Sequence, residues 1–445
     1  MSDADLAAAG TRATRVAAIT RLFTDNAGNE ALSTVLGRYL AQQFGEANVR
    51  LVDRIPHTLR RFSYDRVAAA ADPIAAFEAM VDEVAALPTA ASPLCPLAGE
   101  ADIRLVARPR IRSPLMQWAK RTIRLRSRLR ARGILPARED GAATGLNTLR
   151  WADALVWNPA GEIHPKGRSD EVFLILLMVR LAQRQGKPVA IVNHSLEATD
   201  TVLNRLLVHV YQDAQLVTVR EQGSYDRGLE LGFPAAPMVI VPDLAFLLAR
   251  PGFLPELDEA PAEPLAPGSI VLSINGLEAA RGGDGWERLI AGLRELGRPI
   301  VFVSNSMKDD IPFARAMAQH SHVEFRNDQP SFREMVRLYR GAAMVISSRL
   351  HASIFAMCAR VPVLSIEPQL FKLTGILDQL DYPIRTVRMG EPGWVEQLLA
   401  DARRALDEPA VIVAAGNAGL DRQVAAIQAG YAPLPELLRG AAAAP

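Results

Sequence analysis

Cysteine is nearly missing: the 445 residues contain two, Cys95 and Cys358, far apart in the chain. With no second thiol near either, a disulfide framework and a cysteine-based zinc site are excluded. Long apolar runs are missing too. The longest, residues 172–179, has eight residues, against the ~20 that a membrane-spanning helix needs. The first ten residues, MSDADLAAAG, carry two aspartates and no lysine or arginine, so no secretory signal is expected and the reading is of a cytoplasmic protein. Aromatics are sparse at 6%. Acidic side chains disappear between positions 104 and 138, where twelve lysines and arginines stand without one Asp or Glu, although the whole chain has a net charge of only +1.

What remains is an ordinary globular composition, 49% hydrophobic and 22% charged, long enough for two or three domains. Short β-branched and aliphatic runs alternate with helical stretches, which predicts an α/β protein with parallel sheets. Strands are expected at 16–20, 49–52, 154–157, 189–193, 216–219 and 238–241, then at 270–274, 300–304, 323–325, 344–347 and 363–366. Most are continuously apolar, as strands covered by helices on both faces are. Between the two sets, residues 250–268 hold prolines at 251, 255, 261, 264 and 267 and read as an extended linker. The expected organisation is therefore two doubly wound domains, 1–250 and 269–431, joined by 251–268. An Ala- and Pro-rich tail, 432–445, is expected to fray. In such sheets ligands bind beyond the carboxyl ends of the strands, so the site belongs in strand-to-helix loops of the cleft between the domains.

The strongest of these loops is Ser347-Ser348-Arg349-Leu350-His351. Either serine can cap the helix that follows. The helix start favours an anion, and Arg349 adds a bidentate fork with the His351 imidazole beside it. The bland alternative pairs Arg349 with a carboxylate and packs His351 away. The next loop brings Lys372 to the same rim. Arg220 ends another strand and can hold an anion or pair with an acid. The first loop offers Asn26, Gly28 and Asn29 but no GxGxxG pattern, so a dinucleotide site is disfavoured. Glu162, His164 and His194 lie in further loops as candidate acceptor or cleft residues, and each histidine can equally be structural. No metal-ligand spacing appears, and no cofactor is called for. The basic stretch, with Leu115, Trp118, Ile123 and Leu125 among its cations, fits a helix lying on an anionic membrane surface or a solvated insertion. Its shortage of aromatics argues against nucleic acid.

Four separated motifs, Asn26-Ala-Gly-Asn-Glu-Ala-Leu, Val219-Arg-Glu-Gln-Gly-Ser, Val241-Pro-Asp-Leu-Ala-Phe, and Ser348-Arg-Leu-His-Ala followed by Val361-Pro-Val-Leu-Ser-Ile and Lys372, resemble those of the polysaccharide pyruvyl transferases. The resemblance covers residues 16–410. It implies two Rossmann-like domains facing across a cleft, similar to GT-B glycosyltransferases, with the acceptor on the N-terminal side and the donor on the C-terminal side. The implied reaction moves pyruvate from phosphoenolpyruvate to hydroxyls of a glycan or lipid-linked sugar, forming a ketal. Arg220, Arg349, Leu350 and Lys372 would then bind the donor, and His351 would be the acid/base residue. A lipid-linked acceptor would suit contact between residues 104–138 and the inner face of a membrane. The alternative enzyme is a GT-B glycosyltransferase using a nucleotide sugar. A non-catalytic adaptor docking through the basic stretch leaves the cleft motifs unexplained.

Overall fold

The computed structural model describes residues 13–53, 62–87, 104–105, 142–165, 169–197, 199–261, 263–326, 331–368 and 371–440. The basic stretch, apart from 104–105, and the membrane contact expected of it lie outside these residues, as does Cys95.

Twelve strands build two parallel six-stranded sheets. The first contains β1 (Val16–Thr20), β2 (Val49–Asp53), β3 (Ala154–Trp157), β4 (Val189–His194), β5 (Leu216–Val219) and β6 (Met238–Ile240), in the order β2-β1-β3-β4-β5-β6. The second contains β7 (Ser269–Ser273), β8 (Ile300–Val303), β9 (Glu324–Arg326), β10 (Ala342–Ser347), β11 (Val363–Glu367) and β12 (Val387–Arg388), in the order β9-β8-β7-β10-β11-β12. In the inner strands the apolar runs are continuous because both faces are buried, and residue parity divides them. Val16 and Ala18 face a core shared by the two lobes, while Ala17 and Ile19 face the outer core of their own lobe. In β7, Val271 joins the shared core and Ile270 and Leu272 join the outer one.

Two expectations are corrected. Residues 250–268, expected as an extended linker, form a fastened strap where they are described. Pro255–Asp258 forms a 3-10 turn, Phe253, Leu254, Leu257 and Leu265 are buried, and Arg337 Nε donates to the Glu256 carbonyl at 3.0 Å. Proline excludes the strap from helix and sheet, but it does not prevent the apolar residues between the prolines from packing. The tail does not fray up to residue 440. Helix Leu434–Arg439 packs on β3 and β4 of the first sheet with Leu434 and Leu438 fully buried. Helix Pro409–Tyr431 carries the chain back to that lobe, where Tyr431 Oη meets Thr218 Oγ1 at 2.8 Å. Alanine and proline dominate the tail's composition, but the leucines at i and i+4 give it an apolar face. Among the described residues, no helix is long and apolar enough to cross a membrane.

Leu438→Ala is expected to cost ~2–5 kcal/mol of stability in urea titration. An unchanged midpoint would mean that this helix does not hold the lobes.

Candidate active site

Six strand ends, three from each sheet, enclose a cleft of about 430 Å³. From the first lobe come Arg21, Asp25, Asn26 and Asn29 after β1, Gly161, Glu162 and His164 after β3, and Arg220 after β5. From the second come Asn305, Lys308 and Asp309 after β8, Arg349, Leu350 and His351 after β10, and Lys372 after β11. The expected donor residues Arg220, Arg349, Leu350 and Lys372 thus share one cavity with His351, as do Asn26, Asn29, Glu162 and His164.

The first loop is fixed by its own chemistry. Asn26 caps helix Ala27–Phe44, its Oδ1 accepting the Gly28 and Asn29 amides at 2.9 and 3.3 Å. The backbone is stitched across the cleft, with the Ala27 amide donating to the Asn305 carbonyl and the Met307 amide to the Asp25 carbonyl, at 2.9 and 2.8 Å. Gly28 admits the His351 ring, since a Cβ there would stand 2.2 Å from Nδ1. A Cβ on Gly161 would lie 3.8 Å from Arg220 Nη2 and 3.9 Å from Lys372 Nζ, so both cations approach one point.

Arg220, Arg349 and Lys372 each have a carboxylate partner. Arg220 is 1% exposed; its Nη1 donates to Asp243 Oδ2 at 2.6 Å and its Nη2 to Ser195 Oγ at 2.6 Å. Arg349 forks onto the fully buried Asp310, with Nε at 3.0 Å from Oδ1, so the pairing alternative for this arginine is realised. It still lines the cavity. Asp310 in turn accepts the Gly276, Asn305 and Ser306 amides. Lys372 Nζ lies 2.5 Å from Glu197 Oε1 of the other lobe. His351 Nε2 lies 3.5 Å from Asp243 Oδ2, and its ring stacks on Phe355. Burial pushes the Asp243 carboxyl up, but the Arg220 guanidinium and the His351 imidazole outweigh it and hold the group well below the usual carboxylate range.

Neither serine caps the helix after β10 with its side chain. Arg349 is the N-cap residue of helix Leu350–Cys358 and makes no side-chain cap. Ser347 Oγ accepts the Arg349 amide at 3.0 Å, and Ser348 Oγ accepts the Asn275 amide at 2.7 Å. The helix start thus has no side-chain cap, and its first residues, Leu350 and His351, line the cavity, where an anion is favoured. His194 is not among the cavity-lining residues. It is fully buried beside Tyr211, and burial followed by the nearby Arg220 charge pushes its imidazole down to about 3. Its loop serves the site through Ser195, the Arg220 partner.

Lys308, Asp309, Asp310 and Asp243 escaped the reading of the sequence. The loop after β8 ends a buried strand as plainly as the others, so the carboxyl-end rule could have found Lys308. Asp243 sits in a quoted motif, Val241-Pro-Asp-Leu-Ala-Phe, without a role. Among the described residues, no three His, Cys, Asp or Glu side chains are placed to hold a metal ion. A second hollow of about 470 Å³ is lined by Arg180, Arg184 and Lys187, but these are engaged by Glu78, Asp213, Asp82 and the Leu149 and Ala152 carbonyls.

A family model of the polysaccharide pyruvyl transferases matches residues 26–369. The chain belongs to this family. No curated protein matches it. Solved structures share the fold. The UDP-GlcNAc 2-epimerase of Neisseria meningitidis bound to UDP-GlcNAc superposes with a TM-score of 0.52 at 12% identity, over 96% of this chain and 100% of that one. Anabaena HepE in complex with UDP and glucose gives 0.52 at 10% identity, over 96% and 100%. A glycosyltransferase from Rickettsia africae gives 0.52 at 7% identity, over 98% and 100%. The architecture is GT-B-like, two Rossmann-related lobes with the cleft between them.

The family match, residues 26–369, ends just past Glu367, which closes β11 shortly before the helix that carries Lys372. Glu367 Oε2 accepts the Leu373 and Thr374 amides at 2.8 and 2.9 Å. Burial nevertheless pushes its carboxyl up to about 7. A carboxyl raised in the folded state binds its proton more tightly there than in the unfolded chain, so its contribution to stability is lost as pH rises from about 4.5 through about 7. Relative to Glu367→Gln, the native protein should lose stability over this window. Parallel pH profiles of the two melting temperatures would contradict this.

Proposed function

We propose that the protein transfers pyruvate from phosphoenolpyruvate to a glycan or lipid-linked saccharide, forming a ketal. The observation that supports this reading most is the convergence of Arg220, Arg349, Lys372 and His351 on one cleft in a chain of this family. Phosphoenolpyruvate carries a carboxylate and a phosphate, and guanidinium forks, an ammonium and a helix start without a side-chain cap suit both. Protonation at C3 gives oxocarbenium character at C2. A sugar hydroxyl adds there and loses its proton, phosphate leaves with the C2–O bond electrons, and a second hydroxyl closes the ketal and loses its proton. Several proton transfers recur on this path, and His351 is the imidazole within the cleft's donor cluster, suited to make them. Asn26, Asn29, Glu162 and His164 of the first lobe are assigned to the acceptor side.

One observation favours a second reading, transfer from a nucleotide sugar. The cavity walls carry five cations, Arg21, Arg220, Lys308, Arg349 and Lys372, against four carboxylates, Asp25, Glu162, Glu171 and Asp309. That is a small surplus for a multiply charged small donor. The Anabaena and Neisseria structures of the same fold hold UDP or UDP-GlcNAc.

Thermal shift separates the two readings. A ligand at 100 times its Kd adds ~2.7 kcal/mol, so phosphoenolpyruvate should raise Tm and UDP should not; the reverse result would select the nucleotide sugar. His351→Ala should lower turnover by ~10²–10⁴-fold with little change in donor affinity, read by the mass gain of acceptors incubated with phosphoenolpyruvate. Arg349→Ala and Lys372→Ala should each weaken phosphoenolpyruvate binding about tenfold or more in calorimetry. Unchanged affinity in both variants would place the donor elsewhere.

A further inference from the structure

His351 belongs to the second lobe, where its ring stacks on Phe355, yet the groups against its two ring nitrogens belong to the first. The Nε2 edge is buried and faces Asp243 Oδ2 at 3.5 Å, without a shorter hydrogen bond among the described residues. Hydrogen bonds at catalytic histidines are often long in the unliganded enzyme and tighten in the complex. Asp243 is itself immobilised. It is fully buried, its Oδ1 accepts the Ala245 amide at 2.8 Å, and its Oδ2 accepts Arg220 Nη1 at 2.6 Å. The opposite nitrogen, Nδ1, occupies the space that a side chain at position 28 would fill. Gly28 is the second residue of helix Ala27–Phe44, and beside it Asn26 and Asn29 line the cavity.

We propose that Asp243 is a positioning residue for His351 and that Gly28 is the seat of its ring, so that the first lobe aims the acid/base group of the second. An ionised carboxylate can only accept, so it requires the proton on Nε2 and leaves Nδ1, at Gly28, as the basic nitrogen of the ring. Because the same oxygen holds Arg220, one carboxylate sets both a donor-binding cation and the imidazole. The role of His351 in turnover rests on the function proposed above, whereas the geometry of its ring does not.

Two measurements on the full-length protein test the assignment. The first is the ring-nitrogen NMR spectrum of ¹⁵N-histidine-labelled protein, with the His351 signals identified by their loss in His351→Gln. The native protein should show the Nε2–H tautomer, and Asp243→Asn, which presents an amide in place of the carboxylate, should lose that preference. A native Nδ1–H tautomer, or one unchanged in Asp243→Asn, overturns the role of Asp243. The second uses Gly28→Ala, which leaves Arg220 and Asp243 intact and places a better helix former in the helix, so a loss reports the displaced ring rather than a weakened fold. With phosphoenolpyruvate as donor, kcat should fall ~10²-fold, as for a catalytic group misplaced by about 1 Å, while the donor KM changes little. In a His351→Ala background the same change should have no further effect. Native kcat in Gly28→Ala, or an equal loss without the imidazole, overturns the seat. If the protein fails to use phosphoenolpyruvate at all, the NMR arm still decides whether Asp243 sets the ring, so that failure and this one are distinguishable.

Discussion

One carboxylate oxygen, Asp243 Oδ2, faces the Arg220 guanidinium of its own lobe and the His351 imidazole of the other. A fully buried acid in this position is stable only while its charge is compensated, because an isolated buried carboxylate loses several kcal/mol of hydration. Arg220, itself nearly inaccessible, supplies most of that compensation, and Ser195 Oγ accepts from its Nε and Nη2. Charge, hydrogen bonds and position are therefore mutually dependent, and the cleft inherits its geometry from this cluster.

The same pattern recurs around the cavity. Arg349 is fixed by Asp310, which backbone amides of three residues hold in turn, and Lys372 reaches across to Glu197. Such partners orient long side chains before a ligand arrives, lowering the entropy that binding must remove. They also reduce the net positive charge that a ligand meets.

The arrangement of the lobes is also held by hydrogen bonds that cross between them, at the cavity wall and beyond it. Glu30 of the first lobe accepts the Phe332 amide at the start of a helix in the second, at 3.0 Å. Gln379 donates to the Arg220 carbonyl at 2.9 Å. The terminal helices return to the first lobe, where Tyr39 Oη donates to the Tyr431 carbonyl at 3.3 Å. With an apolar core shared between the sheets, these contacts hold the carboxyl ends of β1, β3 and β5 against those of β8, β10 and β11.

The sequence by itself determined the sheets. Strands buried on both faces must be continuously apolar, and the runs at 16–20, 154–157 and 216–219 coincide with β1, β3 and β5. It also placed Arg349, His351, Arg220 and Lys372 at carboxyl ends of strands or the helix starts that follow, because in a parallel sheet every such loop emerges on one edge. Tertiary structure decided which loops meet and what each charge pairs with. Asp243 is 108 positions from His351 and Asp310 is 39 from Arg349, and no local periodicity links such pairs. It separated His194, sealed behind the wall, from Ser195, which serves the site. It also turned a proline-rich strap and an alanine-rich tail into packed structure, since burial depends on the surface that a distant segment presents and composition records only what each residue could do alone.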